Sequence, residues 1–326
     1  MKWIVISALM LTALANMARE GFSRAMQRDL SADARRAKAD DSSRAQPQSR
    51  SRVVMLGTGT PNADPDRYGP AVAVVVDDQS YLVDAGVGIV RRAAAAERSG
   101  TRALDAAQLK RVFITHLHSD HTLGLADLIL SPWVLERDTP LEVYGPKGVR
   151  SMVDHLVAAY SEDIRLRRTG GEPAHKYDGR SVIVKEIDAG VVYKDDRVTV
   201  MAFAVKHGAW EHAFGFRFQT PDRTIVISGD TGPESNIDEE CRRCDVFVHE
   251  VYSEAGLLSR PAPWQAYHKR YHTSSRQLGS IATQAQPGIL VLYHQLIWNS
   301  TEAALLDEVR STYKGTVVSA KDLDIY

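Results

Sequence analysis

From Val53 to the C-terminus, short runs of branched and aromatic side chains alternate with polar turn residues. Branched side chains pack well on a pleated surface, so such runs bounded by Gly, Pro, Asn or Asp read as strands. Strands are expected over residues 53–56, 71–76, 81–83, 111–115, 141–144, 182–184, 198–205, 214–218, 224–227, 246–248 and 289–292. The second and third of these form a hairpin closed by Asp77, Asp78 and Gln79. Stretches of helical composition lie at 87–97, 123–134, 149–160, 274–285 and 302–313. Strands interspersed with helices in this way imply two sheets packed face to face with helices outside. The expected fold is α/β (α+β), a single-domain four-layer αββα sandwich, and no internal repeat is visible.

The first residues break the pattern. Met1-Lys2 makes a positive start, residues 3–13 an apolar core, and Ala13-Leu-Ala15 a small-residue cleavage site, which together read as a secretory signal peptide over 1–15. The apolar run is shorter than the roughly 20 residues a spanning helix needs, which favours cleavage over a retained membrane anchor. A periplasmic or secreted mature chain, without stable membrane association, is the expectation. Residues 16–52 mix Arg, Ala, Asp, Ser and Gln with few large apolar side chains and cannot build a core, so they read as a flexible linker ahead of a folded domain over 53–326.

Composition narrows the partners. The chain has 326 residues, 44% hydrophobic and 25% charged, an ordinary globular balance, and a formal net charge of -1. Nucleic-acid binders usually carry a basic surplus or stripe, so a nucleic-acid partner is not expected. Only short cationic runs such as Arg165-Leu-Arg-Arg168 occur, and that run reads as a solvated loop. Cys241 and Cys244 are the only cysteines. In an exported protein Cys-Arg-Arg-Cys can close a local disulfide, two free thiols being the alternative, and the pair lacks the further thiols a metal site would need.

The chemistry concentrates at Thr115-His-Leu-His-Ser-Asp-His121, three imidazoles and a carboxylate at the end of an expected strand. In an extended chain His116 and His118 project to one side and can serve one cation, while Asp120 and His121, where the chain turns toward a helix, can address a second. Further ligand types stand at strand ends: His207 after 198–205, Asp230 after 224–227 and His294 after 289–292. Sheets of one sandwich bring such termini to one edge.

These residues resemble the metallo-β-lactamase-fold hydrolases, and within them the ribonuclease Z and arylsulfatase-like branch. The resemblance spans about Val53 to Tyr326. It is carried by Leu56-Gly-Thr-Gly-Thr-Pro61, Leu82-Val-Asp-Ala-Gly86, the His116 cluster, Val143-Tyr-Gly-Pro146, Lys206-His-Gly208, Ser228-Gly-Asp-Thr231, Val248-His-Glu250, His272-Thr-Ser274 and Tyr293-His294. It implies that His116, His118 and His207 hold one zinc, that Asp120, His121 and His294 hold the other, and that Asp230 bridges them. It also implies that His272 and Glu250 deliver a proton and that Asp84 orients an imidazole from beneath the metals.

Two such cations can share and activate a hydroxide as nucleophile, so no side-chain nucleophile is required. Two zinc ions set against Asp120, Asp230 and hydroxide leave about one net positive charge, which favours an anionic ester. Five imidazoles suit zinc, with manganese or iron as alternatives. Asp120 can orient the hydroxide and His272, charged by Glu250, can protonate the departing oxygen. Trp210, Trp264, Tyr267, His268, Tyr271 and Trp298 lie near the ligating segments, and residues 263–271 read as a loop over the mouth of the site.

The first expectation is an exported zinc hydrolase of a small anionic ester, a phosphodiester or aryl sulfate, with a homodimer compatible with the chain. A tRNA 3′-processing endoribonuclease ranks second, because only a short segment separates His207 from Asp230 where members of that branch insert a long tRNA-gripping arm. A β-lactamase or lactonase ranks third, since β-lactamases lack an aspartate equivalent to Asp230.

Overall fold

The computed structural model describes residues 50–173, 177–233 and 236–326. The expected signal peptide and all but the end of the expected linker lie outside these residues. Strands β1 (Ser51–Gly57), β2 (Ala71–Val76), β3 (Gln79–Val83), β4 (Arg111–Phe113), β5 (Leu141–Gly145) and β6 (Val182–Glu186) form one sheet in that spatial order. Strands β7 (Gly190–Lys194), β8 (Thr199–Ala204), β9 (Phe214–Gln219), β10 (Thr224–Ile227), β11 (Val246–Tyr252), β12 (Ile289–Leu296) and β13 (Val317–Ser319) form the other, again in sequential order. Helices α1 (Ile89–Arg98), α2 (Ser119–Thr122), α3 (Leu125–Val134), α4 (Val149–Ala159) and α5 (Ser161–Thr169) belong to the first half of the chain. The second half contributes α6 (Ile237–Cys241), α7 (Glu254–Leu257), α8 (Ala262–Tyr271), α9 (Ser275–Ala285) and α10 (Glu302–Thr312).

Successive side chains of a strand point to opposite faces, and that alternation builds three apolar layers. Val53 and Met55 of β1 meet Phe216, Phe218, Ile225 and Ile227 of the other sheet in the layer between the sheets. Val54 and Leu56 face the opposite way, against Ile89 and Ala93 of α1 and Leu125 and Leu128 of α3. On the far side Val226, Leu290 and Leu292 pack against Leu278 and Ala282 of α9 and Leu305 and Val309 of α10. This is the four-layer αββα sandwich, a single domain, that the apolar pattern implies. No helix among the described residues is long and apolar enough to cross a membrane.

Differences from the expected elements have local causes. β1 begins at Ser51, inside the expected linker, because the Ser51 hydroxyl donates to Thr220 at 2.7 Å and ties the strand start down. Gln79 pairs with Val76 as the first residue of β3, so the hairpin turn is Asp77-Asp78 alone. The cationic run lies on α5, not in a loop. Its arginines are paired along the helix and with its flank: Arg165 with Glu162 at 2.6 Å, Arg167 with Asp163 at 3.1 Å and Arg168 with Asp178 at 3.1 Å. Residues 262–271 form α8 rather than a loop, with Pro263 in the first turn, where its missing N–H costs nothing. Cys241 and Cys244, left open between disulfide and free thiols, are joined, with Cα atoms 4.8 Å apart.

Beyond α3, Arg137 is buried, with no acidic partner among the described residues. Its guanidinium donates to the carbonyls of Leu109, Leu128, Ile129 and Thr139. That fork ties the end of α3 to the loop before β4.

Candidate metal centre

Strands β3 to β6 are parallel, as are β10 to β13, and their carboxyl ends open on one edge of the sandwich. Side chains just past those ends meet there. Asp84 follows β3 in a left-handed conformation (φ 61°) that turns its carboxylate beneath the His116 loop. It accepts from the Thr115 N–H at 2.8 Å and lies 2.7 Å from His121 Nδ1. Thr115 Oγ1 donates to Asp84 and stands 2.9 Å from His116 Nδ1. Two imidazoles are thus fixed by their Nδ1 edges, leaving both Nε2 atoms to face the centre.

Two groups of donors face each other across Asp230. In the first, His118 Nδ1 lies 2.9 Å from His116 Nε2 and 3.1 Å from His207 Nε2, and Asp230 Oδ2 stands 3.9 and 4.0 Å from His116 and His207. In the second, Asp120 Oδ2 lies 3.2 Å from His294 Nε2 and 3.5 Å from His121 Nε2, while Asp230 lies 3.4 Å from His121 and 3.5 Å from His294. Within each group the facing atoms are within 4.8 Å of one another, a spacing that can hold a metal ion. All seven residues of the expected ligand set converge.

Backbone geometry places the most distant of them. His294 is the extra residue of a bulge: Tyr293 pairs with Glu250 and Gln295 with Val251, so His294 has no partner on β11 and adopts φ 43°. A bulge re-aims one side chain out of the strand's alternation, here into the centre. Gly229, at φ 61°, brings Asp230 in close, since a Cβ there would lie 2.9 Å from the Thr115 side chain.

The charges fit bound cations. Burial lowers His116 and His118 below the usual imidazole range and His207 to about 3, which keeps these rings neutral with free lone pairs. Burial also opposes the charged form of His121 and His294. Asp230 leads the carboxylates that outweigh it and hold both rings above their ordinary value. Burial pushes Asp230 up, and His294 and His121 together bring it well below the usual carboxylate range. Carboxylates that draw protons onto neighbouring imidazoles are short of positive charge. Among the described residues His121 Nε2 and Asp230 Oδ1 are moreover buried without a hydrogen-bond partner, an expense that metal ligation removes. The donor set therefore fits divalent cations, and its imidazole-rich character suits zinc, manganese or iron.

Next to this set, His272 Nδ1 stands 3.2 Å from Glu250 Oε2 and 3.9 Å from Asp230 Oδ2. Glu250 also accepts from the Thr273 N–H at 2.7 Å. Burial, reinforced by Asp230, raises Glu250 well above the usual carboxyl range, and burial lowers His272 to about 4. His272 also forms a third possible donor group with Asp230 and His294, which sequence reasoning did not single out. Other residues it missed are Thr115, a plain strand-end threonine in sequence, and Tyr293, buried with an unpartnered hydroxyl. Trp210, read only as lying near the ligating segments, donates from Nε1 to His118 Nε2 at 2.8 Å. The backbone carbonyl of Tyr271 accepts from His207 Nδ1 at 2.8 Å. A cavity of about 310 Å³ opens above the donors, between Arg260, Trp264, Tyr267, His268 and Trp298.

A two-sheet αββα frame with imidazoles and carboxylates gathered at one sheet edge defines the metallo-β-lactamase-fold hydrolases. The family model described as Beta-lactamase superfamily domain matches residues 79–295. Ribonuclease Z of Mycobacterium bovis (strain BCG / Pasteur 1173P2) is 33% identical over 248 residues, 74% of this chain and 85% of that protein. Ribonuclease Z of Mycobacterium sp. (strain KMS) is 34% identical over 251 residues, 75% and 84% of the two chains. The metallo-beta-lactamase fold protein YhfI from Bacillus subtilis shares the fold, with a TM-score of 0.65 at 16% identity over 85% of this chain and 98% of that one. Human tRNase Z, short form, gives 0.61 at 22% identity over 84% and 98%. The chain belongs to the beta-lactamase superfamily, in its ribonuclease Z branch, and is a hydrolase of that fold.

These relatives overturn the first functional expectation, an exported hydrolase of small phosphodiesters or aryl sulfates, in favour of the second. The brevity of the segment between His207 and Asp230 had weighed against a ribonuclease. Yet the likeness to proteins named Ribonuclease Z extends over 85% of the length of one of them, so that brevity does not set the chain apart from the branch.

Proposed function

We propose that the protein is a metal-dependent endoribonuclease that hydrolyses a phosphodiester in the 3′ region of a structured RNA such as a tRNA precursor. The observation that supports this substrate class is the 33% identity to a ribonuclease Z across 85% of that relative. RNA replaces the small anionic ester as partner. The near-neutral net charge is no obstacle, because the cations and not surface lysines meet the reacting phosphate.

His116, His118 and His207 would hold one cation and Asp120, His121 and His294 the other, with Asp230 placed to serve both. A pair of divalent ions bound there supplies positive charge to the phosphate and lowers the pKa of water. The chain's own groups do the rest. Asp84 keeps the proton of His121 on Nδ1 and so holds Nε2 ready as a lone pair. Asp120 Oδ2, at the rim of the donor set, accepts the proton of the attacking water. Burial keeps His272 neutral rather than charged by Glu250 as expected; its Nδ1 is engaged by the Glu250 carboxyl, and it offers its Nε2 proton to the departing 3′ oxygen while Glu250 returns a proton to Nδ1. Glu250 is the positioning residue that fixes this ring.

The test is cleavage of a tRNA precursor with a 3′ trailer by the zinc- or manganese-loaded chain. A single chelator-sensitive cut, abolished in His116→Ala, is expected. His272→Ala should keep its metal content and slow cleavage by about 100-fold. No cut with zinc, manganese or iron contradicts the reading, and loss of metal from His272→Ala would make that residue a ligand instead.

A further inference from the structure

One wall of the cavity is a ladder of flat rings. Trp264, His268 and His272 follow one another at intervals of four along α8 and its C-cap, and residues four apart share a helix face. Trp264 and His268 stack at 5.8 Å and 26°, His268 and His272 lie 5.5 Å apart at 35°, and His272 stacks on His294 at 5.7 Å and 18°. Exposure falls along the series from 48% at Trp264 through 8% and 5% to 1% at His294. The ladder therefore runs from solvent to the donor set. Trp298 lies 4.7 Å from His268 and adds a second indole to the outer end.

Two polar groups at that end have no partner among the described residues. His268 Nδ1 and Arg260 Nε are buried without a hydrogen bond, and the Arg260 guanidinium rests 5.7 Å over the Trp264 ring. Ordinary core aromatics do not explain a half-exposed tryptophan capped by an arginine, both lining a cavity whose floor is Asp120 and Asp230. A volume of about 310 Å³ suits one nucleotide-sized group and not a helix of RNA.

We propose that Arg260, Trp264, His268 and Trp298 form a subsite for one unpaired nucleotide next to the cleaved phosphodiester, its base on the indoles and its phosphate toward Arg260. The inference rests on the ribonuclease reading of the same centre and names the part of the substrate that this chain selects. Aromatic faces bind any base with little sequence preference, and a planar guanidinium suits phosphate. The subsite thus selects single-stranded RNA beside the scissile bond and rejects a paired base, whose faces are already covered.

Calorimetric binding of adenosine 5′-monophosphate and of ribose 5-phosphate to the zinc-loaded full chain tests this without reading cleavage. The two probes differ by the base alone. The nucleotide should bind about tenfold more tightly than the sugar phosphate, as one stacked base allows. Trp264→Ala should reduce that preference to about twofold or less without changing ribose 5-phosphate affinity, and Trp264→Phe should restore most of it. Arg260→Ala should weaken both probes alike. Equal affinity of the two probes for the unmodified chain, failure of both to bind, or an equal loss of both in Trp264→Ala would overturn the subsite. A chain that prefers the nucleotide yet cuts no RNA would sink the ribonuclease reading and leave the subsite standing.

Discussion

Asp84 shows how one side chain orders a centre it does not enter. Its carboxylate takes the Thr115 N–H, the Thr115 hydroxyl and His121 Nδ1, and the left-handed backbone that aims it is one Asn adopts as readily as Asp. Asp84→Asn therefore keeps the backbone and removes the charge that orients the ring. Zinc affinity, measured by competition with a chromophoric chelator, should fall by about 10- to 100-fold, the usual cost of losing such a partner. Unchanged affinity would mean that His121 is held by its neighbours alone. The cluster from His116 to His121 was legible because four donors, three imidazoles and a carboxylate, occupy six consecutive positions. Thr115 was not, since a threonine ending a strand carries no mark of the carboxylate beneath it.

Elements were legible where their period was regular and hidden where a local device broke it. The strand ending at Ile227 announces itself by an apolar run, and the helix from Ser275 by its helical composition, its start being fixed in the structure by a Ser274 capping box. β12 was read only to Leu292, because the bulge at His294 interrupts the alternation that marks a strand. α8 went unread as a helix because its aromatic and cationic residues leave no clean apolar stripe, and Arg260 lay outside the aromatic run that drew attention. At this scale Arg137 makes a testable link, since its fork donates to carbonyls of α3 and its flanks. Arg137→Leu keeps apolar bulk but strands those carbonyls, and should destabilise the fold by about 3 kcal/mol in urea unfolding. A loss below about 0.5 kcal/mol would show that water or a shift of α3 replaces the fork.

For the whole molecule, parallel strands in both halves bring residues more than 200 positions apart to one edge, as Asp84 and His294 are. Sequence shows each as a polar residue after an apolar run, and only the closure of two sheets around a common core turns the set into a centre. The choice among substrates was not legible in the same way, because the residues of the proposed nucleotide subsite are scattered side chains on α8 and its flanks and the net charge is near zero. The central claim is that Asp230 lies between two cations held by His116, His118 and His207 on one side and by Asp120, His121 and His294 on the other. Anomalous diffraction from crystals of the zinc-loaded protein tests it most directly. Two peaks about 3.5 to 4 Å apart, on either side of the Asp230 carboxylate, are predicted; a single peak, or peaks away from these seven residues, would contradict the account.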